Sequence, residues 1–158
     1  MKTIEIRAEN AAGWERSRTA CRGLVLEAGK LLLSYGANRD IWMIPGGGME
    51  TGESDAQCCA REVREETGFL VRPAECVLEI VDYFRNVRMI NRYFPAALLG
   101  RAERSLTEME ENMGMEPRWL PIEEAKAVFS HYDDYAGENE LRRSLYRREY
   151  TALCELFK

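Results

Sequence analysis

The sequence contains little histidine and no long apolar run. His131 is the only histidine among the 158 residues, and we expect it at the surface or at a helix end rather than as a general base. No apolar run approaches the roughly 20 residues that a membrane-spanning helix needs. The first residues also lack the charged-then-apolar order of a signal peptide. These absences predict a cytoplasmic protein that does not associate with a membrane.

The cysteine pattern argues against two further kinds of protein. The cysteines are odd in number and form no C-x-x-C pair, so the sequence suggests neither a disulfide framework nor a zinc site. Reduced thiols in a cytoplasmic protein are the simplest interpretation. The five residues are Cys21, Cys58, Cys59, Cys76 and Cys154.

An excess of basic residues is also missing. The formal net charge is −5, and an acidic chain lacks the dense basic surface that nonspecific binding along a nucleic-acid polymer requires. We therefore expect no nucleic-acid polymer as a partner, although a small polyphosphate could bind through cations or a local group of arginines. With 46% hydrophobic and 31% charged residues, the chain is expected to fold as one globular domain over residues 1–158.

The apolar periodicity predicts strands followed by a helix, and then further strands followed by two helices. Such an order indicates an α/β fold with a mixed sheet covered by helices. Hairpins are expected around Glu27–Gly29 and Arg85–Asn86. Pro95 predicts an edge position or a bulge, because proline has no N–H to donate to a neighbouring strand. The strand-like segments are 2–6, 21–26, 30–35, 41–44, 76–84, 88–99 and 118–120, and the helix-like segments are 54–67, 122–129 and 138–157.

One segment combines a glycine-rich turn with carboxylates on the helix that follows. Its spacing is G-x5-E-x7-R-E-U-x-E-E-x-G-U, where U is aliphatic or aromatic, and it begins at Gly47 and ends at Phe69. Ser54 and Gln57 predict a capping box at the start of the helix. Gly68 suits the left-handed position that ends a helix.

Helical geometry places three glutamates of this segment on one face. At about 100° per residue, Glu62, Glu65 and Glu66 fall within about 100° of arc. Adjacent carboxylates repel one another unless cations intervene, and hard oxygen ligands of this kind suit Mg²⁺ or Mn²⁺. A solvated acidic helix face is the alternative, but the glycine turn, Glu53 and Gly68 at fixed offsets favour a functional site.

The complete motif resembles the signature of the Nudix hydrolases, and every defined position matches. The resemblance implies the Nudix fold, in which a mixed β-sheet is sandwiched between helices (α/β/α). Glu53 and Arg61 would then brace the turn and the helix through charge-assisted hydrogen bonds. The residues implied as metal ligands are Gly47, through its backbone carbonyl, Glu62, Glu65 and Glu66. The implied catalytic residues are Glu53, Arg61, Glu62, Glu65 and Glu66.

The resemblance implies metal-dependent hydrolysis of a pyrophosphate bond in a nucleoside diphosphate linked to another moiety. Mg²⁺ or Mn²⁺ would neutralise phosphoryl charge and lower the pKa of a bound water, whose proton a carboxylate would accept. That base could be a glutamate of the motif or one from a mobile loop. Two alternatives share the fold: a non-hydrolytic nucleotide-binding sensor and an isoprenoid diphosphate isomerase. The intact glutamates favour the hydrolase, because such relatives usually have a degraded motif.

Residues outside the motif give weaker indications of the substrate, which should be a small nucleotide-type molecule. Arginines near the second hairpin could hold phosphates and aromatics there could stack on a base, whereas a charged edge strand is the alternative. These candidates are Arg85, Arg88, Arg92, Tyr83 and Phe94. A polar stretch expected to be a loop could supply a further acid or be merely solvated, and its acids are Glu108, Glu110 and Glu111. A homodimer is a possible assembly.

Overall fold

The computed structural model describes residues 1–7 and 13–158, which form two β-sheets and four α-helices. The strands are β1 (Lys2–Ile6), β2 (Arg16–Leu24), β3 (Leu26–Glu27), β4 (Lys30–Gly36), β5 (Ile41–Met43), β6 (Gly46–Gly48), β7 (Phe69–Pro73), β8 (Leu78–Phe84), β9 (Val87–Arg101) and β10 (Met115–Pro121). The helices are α1 (Asp55–Thr67), α2 (Glu108–Asn112), α3 (Ile122–Ser130) and α4 (Glu140–Leu156), with a 3₁₀-helix at Tyr132–Tyr135.

The larger sheet is mixed, as the sequence predicted. Its strands follow the order β1-β8-β9-β2-β6, and β7 pairs with the C-terminal part of β9. β1 is parallel to β8 and β2 is parallel to β9, whereas the other pairs are antiparallel. The smaller sheet is antiparallel and has the order β10-β4-β3, with β5 beside β4.

The first predicted hairpin is present, but only the two residues of β3 pair with β4. The longer strand before them, β2, does not take part in this hairpin. β3 and β4 pair around a turn at Ala28 and Gly29, whose φ angles are 51° and 76°. Two positive φ angles favour the type I′ geometry of a two-residue hairpin. The preceding strand, β2, pairs instead in the larger sheet, because the chain passes from one sheet to the other at the buried residue Val25.

Pro95 lies in a central strand, so its predicted edge position is wrong. β9 has β2 on one side, and on the other it pairs with β8 up to Tyr93 and with β7 from Ala96. The carbonyl oxygen of Pro95 accepts a hydrogen bond from the backbone N–H of Ala74 at 2.7 Å. Since N and O of one strand residue point to the same side, the missing N–H faces the gap between β8 and β7. No ladder hydrogen bond is lost there.

Helices cover both sides of the sheets, which gives the predicted α/β/α arrangement. Tyr93 and Phe94, adjacent on β9, point to opposite sides and are 0% and 3% exposed. Tyr93 packs in an apolar cluster with Phe129 of α3 and Leu153 of α4. Phe94 packs in a second cluster beneath α1, with Val63.

The predicted boundaries of α1 are confirmed by its caps. Ser54 accepts from the backbone N–H of Gln57 at 3.2 Å, and the Gln57 side chain accepts from the backbone N–H of Ser54 at 2.9 Å. Gly68 ends the helix with φ 78°. The stretch expected to be a loop contains α2 instead, because Thr107 and Glu110 form a second capping box.

The remaining local predictions concern the cysteines and His131. All five cysteines are free, and Cys58 and Cys59 lie on the buried face of α1. His131 is exposed at the end of α3, as expected. Within residues 1–7 and 13–158, none of the helices has the length and apolar character needed to cross a membrane.

Candidate active site

The glycine turn lies in close backbone contact with β2. β6 pairs with β2 so that Gly47 is opposite Cys21. A Cβ atom on Gly46 would lie only 2.2 Å from the carbonyl oxygen of Cys21, so no larger residue fits there. A Cβ atom on Gly47 would lie 2.5 to 2.6 Å from the carboxylate atoms of Glu62. Gly46 therefore lets β2 approach the turn, and Gly47 lets the Glu62 carboxylate of α1 approach it.

Arg61 connects the turn to three carboxylates. Its Nε and Nη2 atoms donate to the two oxygens of Glu53 at 2.6 and 3.0 Å, and Nη2 also donates to the carbonyl of Gly48 at 3.0 Å. Its Nη1 atom donates to Glu62 Oε1 at 2.9 Å and to Glu65 Oε2 at 3.1 Å. The structure thus brings four of the predicted site residues together around one guanidinium group.

The fifth predicted residue, Glu66, lies on the other side of the turn. Its side chain is buried, and Oε2 accepts from Ser34 Oγ at 2.9 Å and from the backbone N–H of Gly46 at 3.3 Å. Glu66 therefore makes no hydrogen bond with Arg61 in the described part of the chain. It supports the turn from beneath while Glu62 and Glu65 lie beside it.

The carboxylates of the site differ in how readily they ionise. Hydrogen bonds from Arg61 lower the pKa of Glu53 to about 2. Burial raises the pKa of Glu62, although Arg61 acts in the opposite direction. Burial raises the pKa of Glu66 to about 8. Glu53 is thus the charged partner of Arg61 near neutral pH, and the charged forms of Glu62 and Glu66 would be favoured by a further cation.

The donor chemistry of this group fits a hard divalent cation, since carboxylates and a backbone carbonyl supply only oxygen. The ligands are not yet arranged around one point, however. Within residues 1–7 and 13–158, no three acidic, histidine or cysteine side chains lie close enough together to hold a metal ion. Arg61 occupies the position between Glu62 and Glu65, and the Cys58 thiol donates to the carbonyl of Gly47 at 3.4 Å. Metal binding would require these groups to exchange their present hydrogen bonds for the cation.

Helix α2 contributes one acid to the electrostatics of the site. The negative charge of Glu110 adds to the raised pKa of both Glu62 and Glu66. Its side chain is fixed by the capping box, in which Oε1 accepts from the backbone N–H of Thr107 at 2.9 Å. Of the three acids in this stretch, Glu110 is therefore the candidate with a structural link to the site.

Two of the residues expected to bind the substrate are engaged elsewhere. Phe94 is a core residue beneath α1, so its expected stacking on a base does not fit its position. The guanidinium group of Arg92 donates to Glu79 at 2.9 Å and to Asp55 at 3.0 and 3.1 Å. Arg92 therefore ties β9 to the start of α1, an interaction that sequence spacing did not indicate.

The other three expected substrate residues lie at or near the turn between β8 and β9. The hydroxyl of Tyr83 donates to Glu5 at 2.6 Å, and the guanidinium group of Arg88 lies 5.5 Å from the ring centre of Trp14. Arg85, at the turn between β8 and β9, lines a cavity on the larger sheet. The five candidates therefore do not form one group.

Two residues near the turn were missed by sequence reasoning. The guanidinium group of Arg18 comes within 3.0 Å of the position that a Cβ atom on Gly48 would take. Ser34 is fully buried and hydrogen-bonded to Glu66. A serine directly after the apolar run Leu31–Leu33 was an available signal for Ser34. Nothing in the spacing connects Arg18 with the motif, because the contact arises from the pairing of β2 with β6.

Residues 17–141 match the sequence model of the NUDIX domain. The chain therefore belongs to the Nudix family, whose members generally use divalent metal ions. Its fold is similar to that of the NUDIX hydrolase from Nitrosomonas europaea, with a TM-score of 0.59 and 22% identity over 85% of this chain and 88% of that one. At this identity the likeness concerns the fold alone.

Two curated relatives each match less than half of the chain. One is the mRNA-decapping enzyme subunit 2 of Saccharomyces cerevisiae, 36% identical over 63 residues, which are 40% of this chain. The other is a putative ADP-ribose pyrophosphatase of Bacillus subtilis, 30% identical over 70 residues, which are 44% of this chain. The match spans only 6% of the yeast protein and 33% of the Bacillus protein.

Proposed function

We propose that this chain is a Nudix-type pyrophosphohydrolase that uses Mg²⁺ or Mn²⁺ to cleave a pyrophosphate bond in a nucleoside diphosphate linked to another moiety. The observation that carries the proposal is the hydrogen-bonded group around Arg61, which fixes Glu53, Glu62 and Glu65 beside the glycine turn. Family membership and the name of the Bacillus relative, a putative pyrophosphatase, support the same chemistry.

The residues of the site have two kinds of role in this proposal, metal binding and proton transfer, and Glu62 and Glu65 are candidates for both. Glu62, Glu65, Glu66 and the carbonyl of Gly47 would hold the metal. When bound, the metal would neutralise charge on the phosphoryl group and lower the pKa of a coordinated water molecule. One P–O bond forms to the water oxygen, the bridging P–O bond breaks, and the leaving phosphate oxygen receives a proton. Glu62, Glu65 and Glu110 are candidates for the base that accepts the proton of the water.

Glu53 and Arg61 act as positioning residues. Their paired hydrogen bonds, together with the bond from Arg61 to the carbonyl of Gly48, hold the turn at a fixed distance from α1. A fixed turn keeps Gly47 close to the Glu62 carboxylate. Such preorganisation lowers the cost of bringing ligands and substrate into a reactive geometry.

The decisive experiment is a substrate panel with a matched pair of variants. The protein is incubated with nucleoside triphosphates, nucleotide sugars, dinucleoside polyphosphates and capped RNA, and release of phosphate or nucleoside monophosphate is measured. We expect release that requires Mg²⁺ or Mn²⁺, stops on addition of a chelator and is lost in Glu65→Gln. Glu124→Gln removes an exposed carboxylate from α3 and should leave the rate unchanged.

Two outcomes of the panel would replace the proposal. Nucleotide binding without turnover in the presence of either metal would indicate a sensor. If an isoprenoid diphosphate is added to the panel, its rearrangement without release of phosphate would indicate an isomerase.

Four sequence-based predictions accompany the proposed activity: a small nucleotide-type substrate, a single Nudix domain over residues 1–158, a cytoplasmic location and a homodimer. The name of the yeast relative refers to mRNA, which is why capped RNA belongs in the panel. Sedimentation equilibrium at several protein concentrations tests the homodimer.

A further inference from the structure

The segment that leads into the glycine turn is held by side chains of α4. This entry segment consists of residues 42–44. The backbone N–H of Trp42 donates to the Tyr146 hydroxyl at 3.0 Å, and the backbone N–H of Ile44 donates to Glu149 Oε2 at 2.6 Å. β5 has β4 on one edge, and α4 supplies the acceptors on the other edge. The two pairs match because helix positions three apart share one face and strand positions two apart point to one side.

Arg22 of β2 holds the other polar backbone atom of Ile44. Its Nη1 atom donates to the carbonyl of Ile44 at 3.1 Å, and its Nε atom donates to Asn91 Oδ1 at 3.0 Å. The N–H and the carbonyl of Ile44 are therefore both bonded to charged side chains, and Glu149 and Arg22 are only 0% and 8% exposed. Hydrogen bonds to charged groups in a buried environment are stronger than those between neutral groups. Ile44 is thus fixed from two directions.

Glu149 is itself held in place by the larger sheet and by its own helix. Its Oε1 atom accepts from the Tyr93 hydroxyl at 2.7 Å and from Arg148 Nε at 3.1 Å. Burying such charges costs free energy, and apolar residues of similar volume often stabilise a fold at least as well. Packing alone therefore does not explain why these charged groups are buried here. Control of the backbone at Ile44 gives them a role.

The entry segment is connected to the metal ligands implied by the motif through a short, stiff path. Pro45 and Gly46 are the only residues between Ile44 and Gly47, and proline has a fixed φ angle. The N–H of Gly46 donates to Glu66 Oε2 at 3.3 Å. A shift of Ile44 would therefore move both a hydrogen-bond donor of Glu66 and the carbonyl of Gly47.

The α4 residues of this arrangement lie beyond the part of the chain that matches the family model. The match ends at residue 141, and Tyr146 and Glu149 follow it. The hydrogen bonds from α4 to the entry segment are therefore additional to the sequence pattern by which the chain was assigned to the family.

We propose that Arg22, Tyr146 and Glu149 are positioning residues for the proposed metal site. They hold the entry segment so that Gly47 and Glu66 keep the arrangement from which a cation is bound. The inference rests on the proposed metal-dependent hydrolase function and adds residues of β2 and α4 to its site. In this role the three side chains act through the backbone rather than by contact with the cation or the substrate. Ligands that are already in place bind a metal ion more tightly, because less freedom is lost on binding.

Two variants weaken the contacts of α4 with the entry segment, and a third is the control. Tyr146→Phe removes the acceptor of the Trp42 N–H. Glu149→Gln removes the charge that strengthens the bond to the Ile44 N–H. The control, Leu153→Val, shortens a fully buried side chain on the same helix and in the same apolar cluster as Tyr146. If Glu149→Gln does not fold, Tyr146→Phe decides the test.

Amide hydrogen exchange of the metal-free protein, measured by NMR, is the first readout. Gly46 reports on the turn, and the fully buried Leu32 of β4 reports on the fold as a whole. We expect Gly46 to exchange about 3- to 10-fold faster in Tyr146→Phe and in Glu149→Gln. In Leu153→Val only amides that exchange by global unfolding, such as Leu32, should speed up, because the entry segment keeps its hydrogen bonds.

The affinity for Mn²⁺, measured by calorimetry, is the second readout. We expect the Kd to rise by about 3- to 30-fold in Tyr146→Phe and Glu149→Gln and by less than about twofold in Leu153→Val. With a substrate that the panel identifies, kcat at low Mn²⁺ should fall and should recover at saturating Mn²⁺, while KM for the substrate changes little.

Unchanged exchange at Gly46 in both test variants, or an unchanged Kd for Mn²⁺, would overturn the inference, as would equal changes in Leu153→Val. The two readouts also separate the inference from the proposed activity. Faster exchange and weaker Mn²⁺ binding in the two test variants support the positioning role even if no substrate is hydrolysed, which would reject only the hydrolase.

Discussion

The guanidinium group of Arg61 donates to both carboxylate oxygens of Glu53, from Nε at 2.6 Å and from Nη2 at 3.0 Å. This pair joins the glycine turn to α1 across a separation of eight residues. A planar fork that meets both oxygens is specific to arginine, because lysine presents a single ammonium group. The same guanidinium also reaches Glu62 and Glu65, so the pair sets the geometry of the whole site.

Arg61→Lys should lower the activity although the substitution keeps the positive charge. We expect kcat to fall by about 10- to 100-fold and the free energy of unfolding by about 1 to 3 kcal/mol, because the paired hydrogen bonds are lost. Steady-state kinetics and urea unfolding provide the two values. The control is Arg64→Lys on the same helix. The Arg64 guanidinium comes no closer than 3.7 Å to a carboxylate, that of Glu65, so this variant should change stability by less than about 0.5 kcal/mol. An unchanged kcat in Arg61→Lys would contradict the bracing role.

Gly47→Ala should damage the site with little effect on the core. The added methyl group would lie 2.5 to 2.6 Å from the Glu62 carboxylate, which must then move away from the turn. We expect activity to fall by at least about tenfold and the affinity for Mn²⁺, measured by calorimetry, to weaken. Gly100→Ala is the matched control, since its methyl group would meet no atom within 4 Å. Equal activity of the two variants would show that the approach of Glu62 to Gly47 is unimportant.

The Glu53 carboxylate should make part of the stability depend on pH. Arg61 lowers the pKa of Glu53 from 4.5 to about 2 in the folded protein. Because the folded pKa lies below the unfolded value, this stabilisation is complete above about pH 4.5 and is lost as the pH falls towards 2. Urea unfolding of the wild type and Glu53→Gln at pH 7, 5 and 2.5 measures it. The difference between the two proteins should shrink at the lowest pH, and a constant difference would exclude the proposed linkage.

Tyr93→Phe should destabilise the fold through a buried carboxylate. Glu149 is 0% exposed and accepts from the Tyr93 hydroxyl at 2.7 Å, from the backbone N–H of Ile44 at 2.6 Å and from Arg148 at 3.1 Å. Removing one donor leaves a buried negative charge less well satisfied, which costs about 1 to 3 kcal/mol. Thermal and urea unfolding measure the loss. Tyr132→Phe removes a hydroxyl with no hydrogen bond to the described residues, so an equal loss there would argue against this explanation.

The elements that the sequence predicted well depend on neighbours in the chain. The capping box of Ser54 and Gln57, the left-handed Gly68 and the glutamate spacing on α1 all act within one or two helical turns. The motif therefore located the acidic helix and the glycine turn before any contact between distant segments was known. The short helix α2 escaped prediction although its capping residues Thr107 and Glu110 are also local, because the polar composition resembled a loop.

The wrong or missing predictions concern pairing between segments far apart in the chain. Pro95 was expected at an edge or a bulge because its missing N–H excludes most central positions, yet it lies in a central strand where β8 and β7 leave a gap. Arg92 and Phe94 were grouped with Arg85 because they lie near it in the sequence. They lie far along β9 from its turn, beneath α1, where apolar packing and ion pairs engage them.

The sequence alone determined the chemistry of the site, since the period of a helix fixes which carboxylates share a face. Tertiary structure decided how that chemistry is arranged: Glu66 turns towards Ser34, Arg61 lies between Glu62 and Glu65, and Arg18 lies beside Gly48. These contacts depend on strand register and on burial across the sheets. Both are set by the packing of the whole chain and leave no periodic signal in any one segment.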